Sequence, residues 1–438
     1  MADQPALGRL RSAGCNSLNG DCEAPGDKSI SHRALILGAM AQGTTRITNL
    51  LEGQDVLDMA AALQSFGASV ERLEPGQWGV TGRRWQSPVE PIDCGNSGTA
   101  ARLLIGAAAG MEIEADFTGD ASLRRRPMDR LFSPLRAMGA RIEASEGDRL
   151  PAKLSGGGLA GISFTNATAS AQVKSALLLA GLNAAGEVEI IEPARSRDHS
   201  ENMLRDFGCD LSVEGHSIRL GPERRLRAAE VDIPGDPSSA AFPLVGALIG
   251  PGSELQVRSV MTNELRTGLY ASLSEMGADL IFTNRRRRSG EEIADIRARH
   301  SHLRGIEVPA SRAPSMIDEY PILCIAAAFA EGPTRLRGLG ELRVKESDRI
   351  SAMAVGLRAC GVEVEEQGDD LVIHGCGGAR PGGASIAAQG DHRIAMSFLI
   401  LGLASRAPVT VDSAPMIGTS FPGFVPLMRS LGACIEEA

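Results

Sequence analysis

The chain has 438 residues, more than one ordinary hydrophobic core organises, so two domains or an assembly of repeats are expected. Its formal net charge of −9 gives no support for a general nucleic-acid or membrane binder, so any basic site must be local. Only 3% of the residues are aromatic, and the core must therefore be built from alanine, leucine, isoleucine and valine.

The cysteines and the first residues bear on the compartment. Eight cysteines are scattered along the chain without a CxxC pair, and the start MADQPALGRLR contains no apolar signal core. No uninterrupted apolar stretch approaches the roughly 20 residues of a membrane span. A reduced cytoplasmic protein with no membrane partner is expected.

The first predicted helix raises an electrostatic question. The phrase PGDKSISHR, residues 25–33, precedes the apolar run ALILGAMA, so Lys28 and Arg33 fall in the first turns of a buried helix. The helix dipole disfavours cations there. Such an arrangement is tolerable where a multiply charged anion shares its oxygens between the cations and the free N–H groups. The pattern thus favours an anion-binding site.

Similar phrases then recur six times along the chain, which indicates six copies of one unit. In each copy an apolar helix precedes a short strand, a polar loop, a second helix that ends at a glycine, and a closing strand. The six phrases are LQSFGASVE, LRAMGARIE, LRDFGCDLS, LSEMGADLI, LRACGVEVE and LRSLGACIE, with Gly67, Gly139, Gly208, Gly277, Gly361 and Gly432 at the helix ends.

Units of this length favour two lobes of three repeats over an open solenoid. The predicted lobes are residues 25–233, and residues 1–24 with 234–438, the latter completed by the N-terminal strand. The Pro-Gly phrases at 24–28 and 231–237 mark two crossings of the chain. A charged stretch at 284–300 is predicted to be an insertion in the fourth repeat.

A residue suited to helix capping precedes each buried helix, and cations accompany several of these positions. If the six helix starts face a cleft between the lobes, that cleft attracts anions. The predicted caps are Asp27, Asn96, Ser170, Asp236, Asp318 and Asp391, and the cations are Lys28, Arg33, Arg102, Lys174 and Arg393. Three charged loops, at 119–130, 196–204 and 342–349, fall before second helices of the repeats.

Eight phrases together resemble the 5-enolpyruvylshikimate-3-phosphate synthase family, and the resemblance covers essentially the whole chain. They are PGDKSISHR, GNSGTAARLL, GDASLRRRPM, SAQVKSALLLAGL, IPGDPSSAAFPL, DEYPIL, RVKESDR and GDHRIAMS. The resemblance implies an α/β, two-lobed enolpyruvyl transferase fold of six βαβαββ-type repeats in two pseudo-threefold lobes, with helix N-termini directed at the cleft between them.

The resemblance also implies a reaction. The enolpyruvyl group of phosphoenolpyruvate is transferred to the 5-hydroxyl of shikimate 3-phosphate, with release of phosphate through a tetrahedral intermediate, as part of chorismate and aromatic amino acid biosynthesis. Both substrates are anions, as the cationic helix starts require. No organic cofactor and no metal are implied, and a monomer is expected.

Site residues follow from the resemblance motif by motif. Arginine forks suit carboxylate and phosphate oxygens, and a glycine lets the backbone approach a substrate closely. The residues expected to bind shikimate 3-phosphate are Lys28, Ser29, Arg33, Ser170, Gln172, Arg197, Asp318 and Lys345. Those expected to bind phosphoenolpyruvate are Lys28, Asn96, Gly98, Arg126, Gln172, Arg349 and Arg393.

Proton transfer is expected to involve Lys28, Asp318 and Glu346. The reaction needs a base for the 5-hydroxyl and an acid for the methylene carbon of phosphoenolpyruvate, with the second transfer later reversed. Asp318 is the candidate for the hydroxyl, and Glu346 with Lys28 for the methylene, although this division stays open.

The chain departs from the family pattern near its C-terminus. Many members have a lysine that contacts phosphoenolpyruvate where this chain has Thr419. That change is typical of a subgroup with glyphosate-tolerant enzymes, whereas Gly98 stands where a tolerant member has alanine. The two features conflict, and we expect partial sensitivity to the inhibitor.

Three other functions compete with this one. The sister transferase that acts on UDP-N-acetylglucosamine usually carries Lys-Asn in place of Lys28-Ser29, together with a reactive loop cysteine. A phosphate-binding kinase would need GxxxxGK[ST], which is absent. The run NRRRR is followed by EEIAD, which indicates a self-neutralised segment more than a nucleic-acid site.

Overall fold

The computed structural model describes residues 8–377 and 380–438, which form α-helices and mixed β-sheets. The described helices are α1 Lys28–Met40, α2 Gln54–Ser65, α3 Gly98–Ala109, α4 Ala121–Arg125, α5 Asp129–Ala137, α6 Ala171–Gly181, α7 His199–Asp206, α8 Pro237–Ile249, α9 Gly268–Glu275, α10 Tyr320–Phe329, α11 Arg349–Ala359, α12 His392–Leu403 and α13 Phe424–Ser430. Four 3-10 helices cover Glu264–Arg266, Ala310–Ser315, Gly340–Val344 and Ala414–Thr419. Within these described ranges, no helix has the length and apolar character needed to cross a membrane.

The strands of the described chain are short. In chain order they are β1 Leu10–Ala13, β2 Asn19–Glu23, β3 Thr44–Thr48, β4 Ser69–Glu74, β5 Gln77–Thr81, β6 Ile92–Asp93, β7 Glu114–Thr118, β8 Arg141–Ser145, β9 Arg149–Ser155, β10 Ala160–Thr165, β11 Ala185–Ile191, β12 Leu211–Glu214, β13 Ser217–Leu220, β14 Glu230–Asp232, β15 Glu254–Met261, β16 Asp279–Arg288, β17 Glu291–Arg299, β18 Glu307–Val308, β19 Glu331–Leu336, β20 Glu363–Gln367, β21 Asp370–Cys376, β22 Ser385–Ile386, β23 Val409–Val411 and β24 Cys434–Glu437.

These strands form six four-stranded sheets in the described residues, all with one topology. The first strand of each sheet is parallel to the second, the second is antiparallel to the fourth, and the third lies beside the fourth at the far edge. This is the βαβαββ repeat predicted from the sequence, and the sixfold count is confirmed.

Two sheets take strands from the beginning of the chain. In the last sheet β1 pairs with both β23 and β24, so the N-terminal strand is central. Strand β2 pairs with β15, whereas β14 pairs with β3. Strand β14, which precedes α8 of the fourth repeat, therefore belongs to the sheet of the first repeat. Strand β2, which precedes α1 of the first repeat, belongs to the sheet of the fourth repeat.

The described chain divides into two compact units. The first, here called the N unit, comprises Gly26–Ile233 with Arg288–Glu291, and the rest of the described chain forms the C unit. Each unit contains three of the sheets and three helices that are buried on nearly every side. Those helices are α1, α3 and α6 in the N unit and α8, α10 and α12 in the C unit.

The second helix of each repeat ends as the sequence predicted. The six glycines that follow these helices all have positive φ angles, between 86° and 110°. A left-handed residue at this position closes the last helical turn, and glycine adopts that conformation without a steric penalty.

The predicted insertion at 284–300 is not a separate element. Strands β16 and β17 are the third and fourth strands of the fourth repeat, and they are longer than their equivalents. Arg286 lies 3.2 Å from Asp295 across this hairpin, in agreement with the predicted self-neutralisation. Because extra residues in both strands extend the ladder, the sequence interval grows without a new loop.

Small residues let α3 and α6 approach closely. A Cβ built on Gly106 of α3 would lie 2.4 Å from the carbonyl oxygen and 2.6 Å from the Cα of Ala176 in α6. These distances are far shorter than any van der Waals contact between a methyl group and backbone. The close approach fixes how the start of α3 lies beside the start of α6.

We expect Gly106→Ala to destabilise the N unit by about 1–3 kcal/mol, because the added methyl group forces two helix backbones apart. Helix propensity alone favours alanine over glycine by about 1 kcal/mol, so the sign of the change distinguishes the two effects. Urea unfolding monitored by circular dichroism measures it. Gly418→Ala is the matched control, since a Cβ at Gly418 meets nothing within 4 Å; equal midpoints for the two variants would contradict the packing argument.

Candidate active site

Four of the six predicted helix caps are observed. Asp27, Ser170, Asp236 and Asp391 each accept a hydrogen bond from a backbone N–H in the first turn. The predictions for Asn96 and Asp318 are wrong.

The two exceptions have a common cause. Helix α3 is capped one residue later, where Ser97 Oγ accepts from the N–H of Ala100 at 3.1 Å. Helix α10 begins after Glu319, without a side-chain cap. In both cases the polar side chain is engaged elsewhere: Asn96 bonds Asp120 and Arg126, and Asp318 binds two cations.

Lys28 begins α1, directly after its cap. Its ammonium group forms an ion pair with Asp55 of α2, in which both side chains are largely buried. The unfavourable position at a helix start is therefore compensated by a carboxylate of the protein itself. Ser29 follows Lys28 and is half-buried.

Arg33 lies one turn further along α1, and only 4% of it is exposed. Its Nε donates to Ser200 Oγ and its Nη2 to Ser175 Oγ, both at 2.7 Å, while Nη1 donates to the carbonyl oxygen of Ser29 at 2.9 Å. Burial lowers the pKa of Arg33 to about 10. Because this value is still above neutral pH, the side chain stays cationic. His32 is fully buried, and burial together with Lys28 and Arg33 holds its pKa well below the usual range, so it stays neutral.

A second group of side chains surrounds Gly98 at the start of α3. A Cβ built on Gly98 would lie 2.7 Å from Arg102 Nη1 and 2.9 Å from Arg126 Nη1. Arg126 is 7% exposed, and its Nη2 donates to Asn96 Oδ1 at 3.0 Å. The structure thus brings together Asn96, Gly98 and Arg126, three residues that the sequence assigned to phosphoenolpyruvate.

Gln172, in the first turn of α6, joins this group through Arg102. Arg102 Nη1 donates to Gln172 Oε1 at 2.9 Å, and Gln172 Nε2 donates to Thr99 Oγ1 at 2.8 Å. The sequence analysis noted Arg102 only as a cation near a helix start. Its position four residues after Gly98 on one helix was a signal that the two lie on the same face.

The third helix start of the N unit has a different arrangement from the one expected. Lys174 is 1% exposed and forms ion pairs with Glu192 at 2.9 Å and Glu201 at 2.7 Å. It is neutralised by the protein, so the idea that this cation requires a substrate anion is wrong. Ser170 and Arg197 are both half-buried near this cluster, at the start of α6 and before α7.

The C unit contains a compact cluster built around Arg349, the first residue of α11. Arg349 is 1% exposed, and its guanidinium is held edge-on by Asp391, with Nε to Oδ2 at 2.7 Å and Nη2 to Oδ1 at 3.2 Å. Nη2 also donates to Glu346 Oε2 at 2.5 Å. Burial by itself would lower the pKa of Arg349, but the carboxylates of Asp391 and Glu346 outweigh it and the net shift is upward.

Asp318 and two further cations complete this cluster. Lys345 Nζ lies 3.2 Å from Asp318 Oδ1, and Arg349 Nη1 lies 3.5 Å from the same oxygen. Arg393 Nη1 donates to the carbonyl oxygen of Asp318 at 3.0 Å. The structure therefore brings together five residues that the sequence analysis assigned to the substrates or to proton transfer: Asp318, Lys345, Glu346, Arg349 and Arg393.

Sequence reasoning missed the role of Asp391 in this cluster. It was predicted only as a helix cap, yet it also binds Arg349 and accepts from Ser347 Oγ at 3.1 Å. Burial raises the pKa of Asp391, but Arg349 outweighs that effect and the net shift is downward. Asp55, the partner of Lys28, was missed as well, since nothing in a separation of 27 residues signals the pair.

Thr419, the residue that replaces the family's lysine, lies beside His392. Its Oγ1 donates to the carbonyl oxygen of Met416 at 2.7 Å and lies 3.4 Å from His392 Nδ1. Since His392 directly precedes Arg393, this threonine belongs to the surroundings of the C unit cluster.

Two groups of acidic residues and histidine lie close enough to share a metal ion, within the described ranges. In each, the histidine is already hydrogen-bonded to a glutamate, His199 to Glu291 and His374 to Glu365, both at 2.8 Å. Neither group contains a residue assigned to the substrates.

Comparisons with known proteins identify the family. The family model described as EPSP synthase (3-phosphoshikimate 1-carboxyvinyltransferase) matches residues 13–428. A 3-phosphoshikimate 1-carboxyvinyltransferase of Caulobacter vibrioides is 56% identical over 442 residues, which cover 99% of this chain and 100% of that protein. The enzyme of the same name from Cereibacter sphaeroides is 58% identical and covers 95% of each chain.

Solved structures agree with this family and with the fold. The EPSP synthase of Acinetobacter baumannii superposes with a TM-score of 0.86 at 42% identity, covering 98% of this chain and 100% of the other. The enolpyruvyl transferase NikO of Streptomyces tendae has a TM-score of 0.78 at 18% identity and covers 99% of each chain, which shows the shared fold alone. The chain has the two-lobed enolpyruvyl transferase fold and belongs to the EPSP synthase family, the 3-phosphoshikimate 1-carboxyvinyltransferases.

Proposed function

We propose that this transferase joins phosphoenolpyruvate to the 5-hydroxyl of shikimate 3-phosphate by means of the side-chain clusters described above. The reaction yields 5-enolpyruvylshikimate 3-phosphate and phosphate, a step of aromatic amino acid biosynthesis. The observation that carries the proposal is the C unit cluster. There Asp318 and Glu346 both form ion pairs with Arg349, and Asp318 also contacts Lys345 and Arg393. Acid–base groups set among anion-binding cations are what addition to an anionic enol requires.

Phosphoenolpyruvate is assigned mainly to arginines. Asp391 holds Arg349 by one edge, so the orientation of its planar fork is fixed before any substrate binds. In the N unit, the absence of a Cβ at Gly98 lets the guanidinium groups of Arg102 and Arg126 lie close to the start of α3, and Gln172 accepts a hydrogen bond from Arg102. We assign Lys28, Asn96 and Arg393 to the same substrate.

Shikimate 3-phosphate is assigned mainly to the N unit. Ser170 and Gln172 open α6, where free N–H groups favour a phosphate, and Arg197 precedes α7. Arg33 supplies a buried positive charge beside Ser29. Lys28, Asp318 and Lys345 complete the set.

The proposed chemistry is an addition followed by an elimination. Asp318 takes the proton of the 5-hydroxyl while the hydroxyl oxygen bonds to C2 of phosphoenolpyruvate. Glu346 with Lys28 delivers a proton to C3. In the second step Glu346 with Lys28 takes a proton back from the new methyl group, the bond from C2 to the phosphate oxygen breaks, and phosphate departs with the proton that Asp318 held. Lys345 and Arg349 offset the charge of Asp318, and Arg349 offsets that of Glu346.

The acceptor test separates this function from its nearest rival. Purified protein is incubated with phosphoenolpyruvate and either shikimate 3-phosphate or UDP-N-acetylglucosamine, and released phosphate is measured. We expect release with the first acceptor only. Release with the sugar nucleotide instead would overturn the proposal.

Removal of the proposed acid–base groups tests their roles. We expect Asp318→Asn and Glu346→Gln each to lower kcat by roughly 100-fold or more while the substrates still bind, because general acid–base catalysis contributes typically 10²–10⁴-fold. Steady-state kinetics give kcat, and calorimetry gives the affinity for shikimate 3-phosphate. Near-normal turnover in both variants would refute the assignment.

Gly98→Ala tests the phosphoenolpyruvate site. The methyl group would press on Arg102 and Arg126, which must then move from their present hydrogen bonds. A loss of about 1 kcal/mol of binding corresponds to a rise of about fivefold in the KM for phosphoenolpyruvate. We expect the KM for shikimate 3-phosphate to change much less.

The same variant addresses the response to glyphosate. Inhibition is titrated against phosphoenolpyruvate for the wild type and for Gly98→Ala. Weaker inhibition of the variant is expected, since the methyl group narrows the space beside Arg126. Unchanged inhibition would remove the steric argument.

A monomeric state and a cytoplasmic location remain part of the proposal. Free thiols, as a reducing compartment maintains them, are observed at Cys15, Cys22, Cys94, Cys209, Cys324, Cys360 and Cys434. Sedimentation at micromolar concentration tests the oligomeric state.

A further inference from the structure

A buried cluster of charged side chains at the start of α6 takes no part in the proposed chemistry. It consists of Lys174, Glu192 and Glu201, whose side chains are 1%, 2% and 3% exposed. Lys174 Nζ binds Glu192 Oε2 at 2.9 Å, Glu201 Oε1 at 2.7 Å and the carbonyl oxygen of Ser196 at 3.4 Å. We call this group the Lys174 cluster.

The cluster holds the segment that leads to Arg197. Glu192 accepts from Ser196 Oγ at 2.6 Å and from the N–H of Ser196 at 3.2 Å. With the bond from Lys174 to the Ser196 carbonyl, the residue directly before Arg197 is bound at its N–H, its hydroxyl and its C=O. Three bonds to one residue restrict the backbone angles from which Arg197 projects.

The same cluster also reaches the start of α6. Asn166 Nδ2 donates to Glu192 Oε1 at 2.9 Å and to the carbonyl oxygen of Ser170 at 3.0 Å. Ser170, which caps α6, and Arg197 are therefore both attached to the carboxylate of Glu192, each through one intermediate residue.

Arg33 depends on the neighbouring residues of the same two helices. Ser175 follows Lys174 on α6, and Ser200 precedes Glu201 on α7. Both serines accept from Arg33, and Ser200 Oγ also donates to Ser175 Oγ at 2.7 Å. The ion pair between Lys174 and Glu201 thus sets the distance between the helices that bind Arg33.

Stability alone is a poor explanation for such a cluster. Two carboxylates and one ammonium group are removed from water together, and burial raises the pKa of Glu201 despite Lys174. Apolar side chains of similar volume often stabilise a protein as well as buried ion pairs do. What the charged groups add is a set of directional contacts.

We propose that Lys174 is a positioning residue for shikimate 3-phosphate, which holds Ser170, Arg197 and Arg33 in one fixed arrangement. The proposal rests on the assignment of those three residues to that substrate. Lys174 itself touches no substrate, since its donors are directed to Glu192, Glu201 and Ser196.

The test is Lys174→Met combined with Glu192→Gln and Glu201→Gln, so that no unpaired charge is left buried. We expect the KM and the calorimetric Kd for shikimate 3-phosphate to rise about tenfold, while kcat and the KM for phosphoenolpyruvate change less than threefold. An unchanged KM and Kd in a folded variant would overturn the proposal, as would an equal rise for both substrates.

Arg224→Ala is the matched control for helix stability. Arg224 bonds the carbonyl oxygens of Gly181 and Ala184 at the opposite end of α6, both at 3.0 Å. We expect this variant to lower the unfolding midpoint without a change in the KM for shikimate 3-phosphate. A similar rise in that KM for both variants would reduce the cluster to a structural role and contradict the proposal.

A milder variant serves if the triple variant does not fold. Ser196→Ala removes one hydroxyl from the cluster, and we expect a rise of about threefold in the KM for shikimate 3-phosphate; no rise contradicts the proposal. Wild-type protein that releases no phosphate with shikimate 3-phosphate would instead refute the proposed function, whatever the variants do.

Discussion

The structure depends on the compensation of buried cations by carboxylates that are remote in sequence. Lys28 pairs with Asp55, Lys174 with Glu192 and Glu201, and Arg349 with Asp391. A buried charge without a partner is strongly destabilising, so these contacts leave little freedom for the side chains involved. The carboxylates therefore set the orientation of these cationic groups.

Small residues make this charge arrangement possible. The buried helices are rich in alanine and glycine, and α3 approaches α6 so closely at Gly106 that no side chain fits between them. The approach places Gln172 within reach of Arg102 and Thr99. A core of bulkier residues would separate the helix starts and break the bridge that these polar groups form. The low aromatic content of the core and the polar contacts at the helix starts are therefore linked, because small residues allow the close approach of the helices.

The sequence was informative where a local pattern carries physical meaning. The sixfold repeat and the six glycines that end the second helices follow from periodicity, whereas the residues that meet around Arg349 were expected from the family resemblance of their motifs. The caps at Asn96 and Asp318 were wrong because their side chains bind distant partners instead of the nearest N–H. Asp55, and Asp391 as the partner of Arg349, were missed because each pairing joins elements separated by tens of residues. Lys174 was misread for the same reason, since its two glutamates follow it by 18 and 27 positions.

The use of early strands in late sheets has a consequence for synthesis on the ribosome. The N unit needs the chain only as far as the hairpin tip at Glu291, whereas β1 must wait for β23 and β24, the final segments to emerge. Folding in the order of translation thus leaves β1 unpaired until the last repeat exists, whereas β2 finds its partner β15 already in the fourth repeat. A fusion partner placed before residue 8 therefore lies next to β1, a strand that must still enter the middle of a sheet. A fusion partner placed after residue 438 follows β24, which lies at the edge of that sheet.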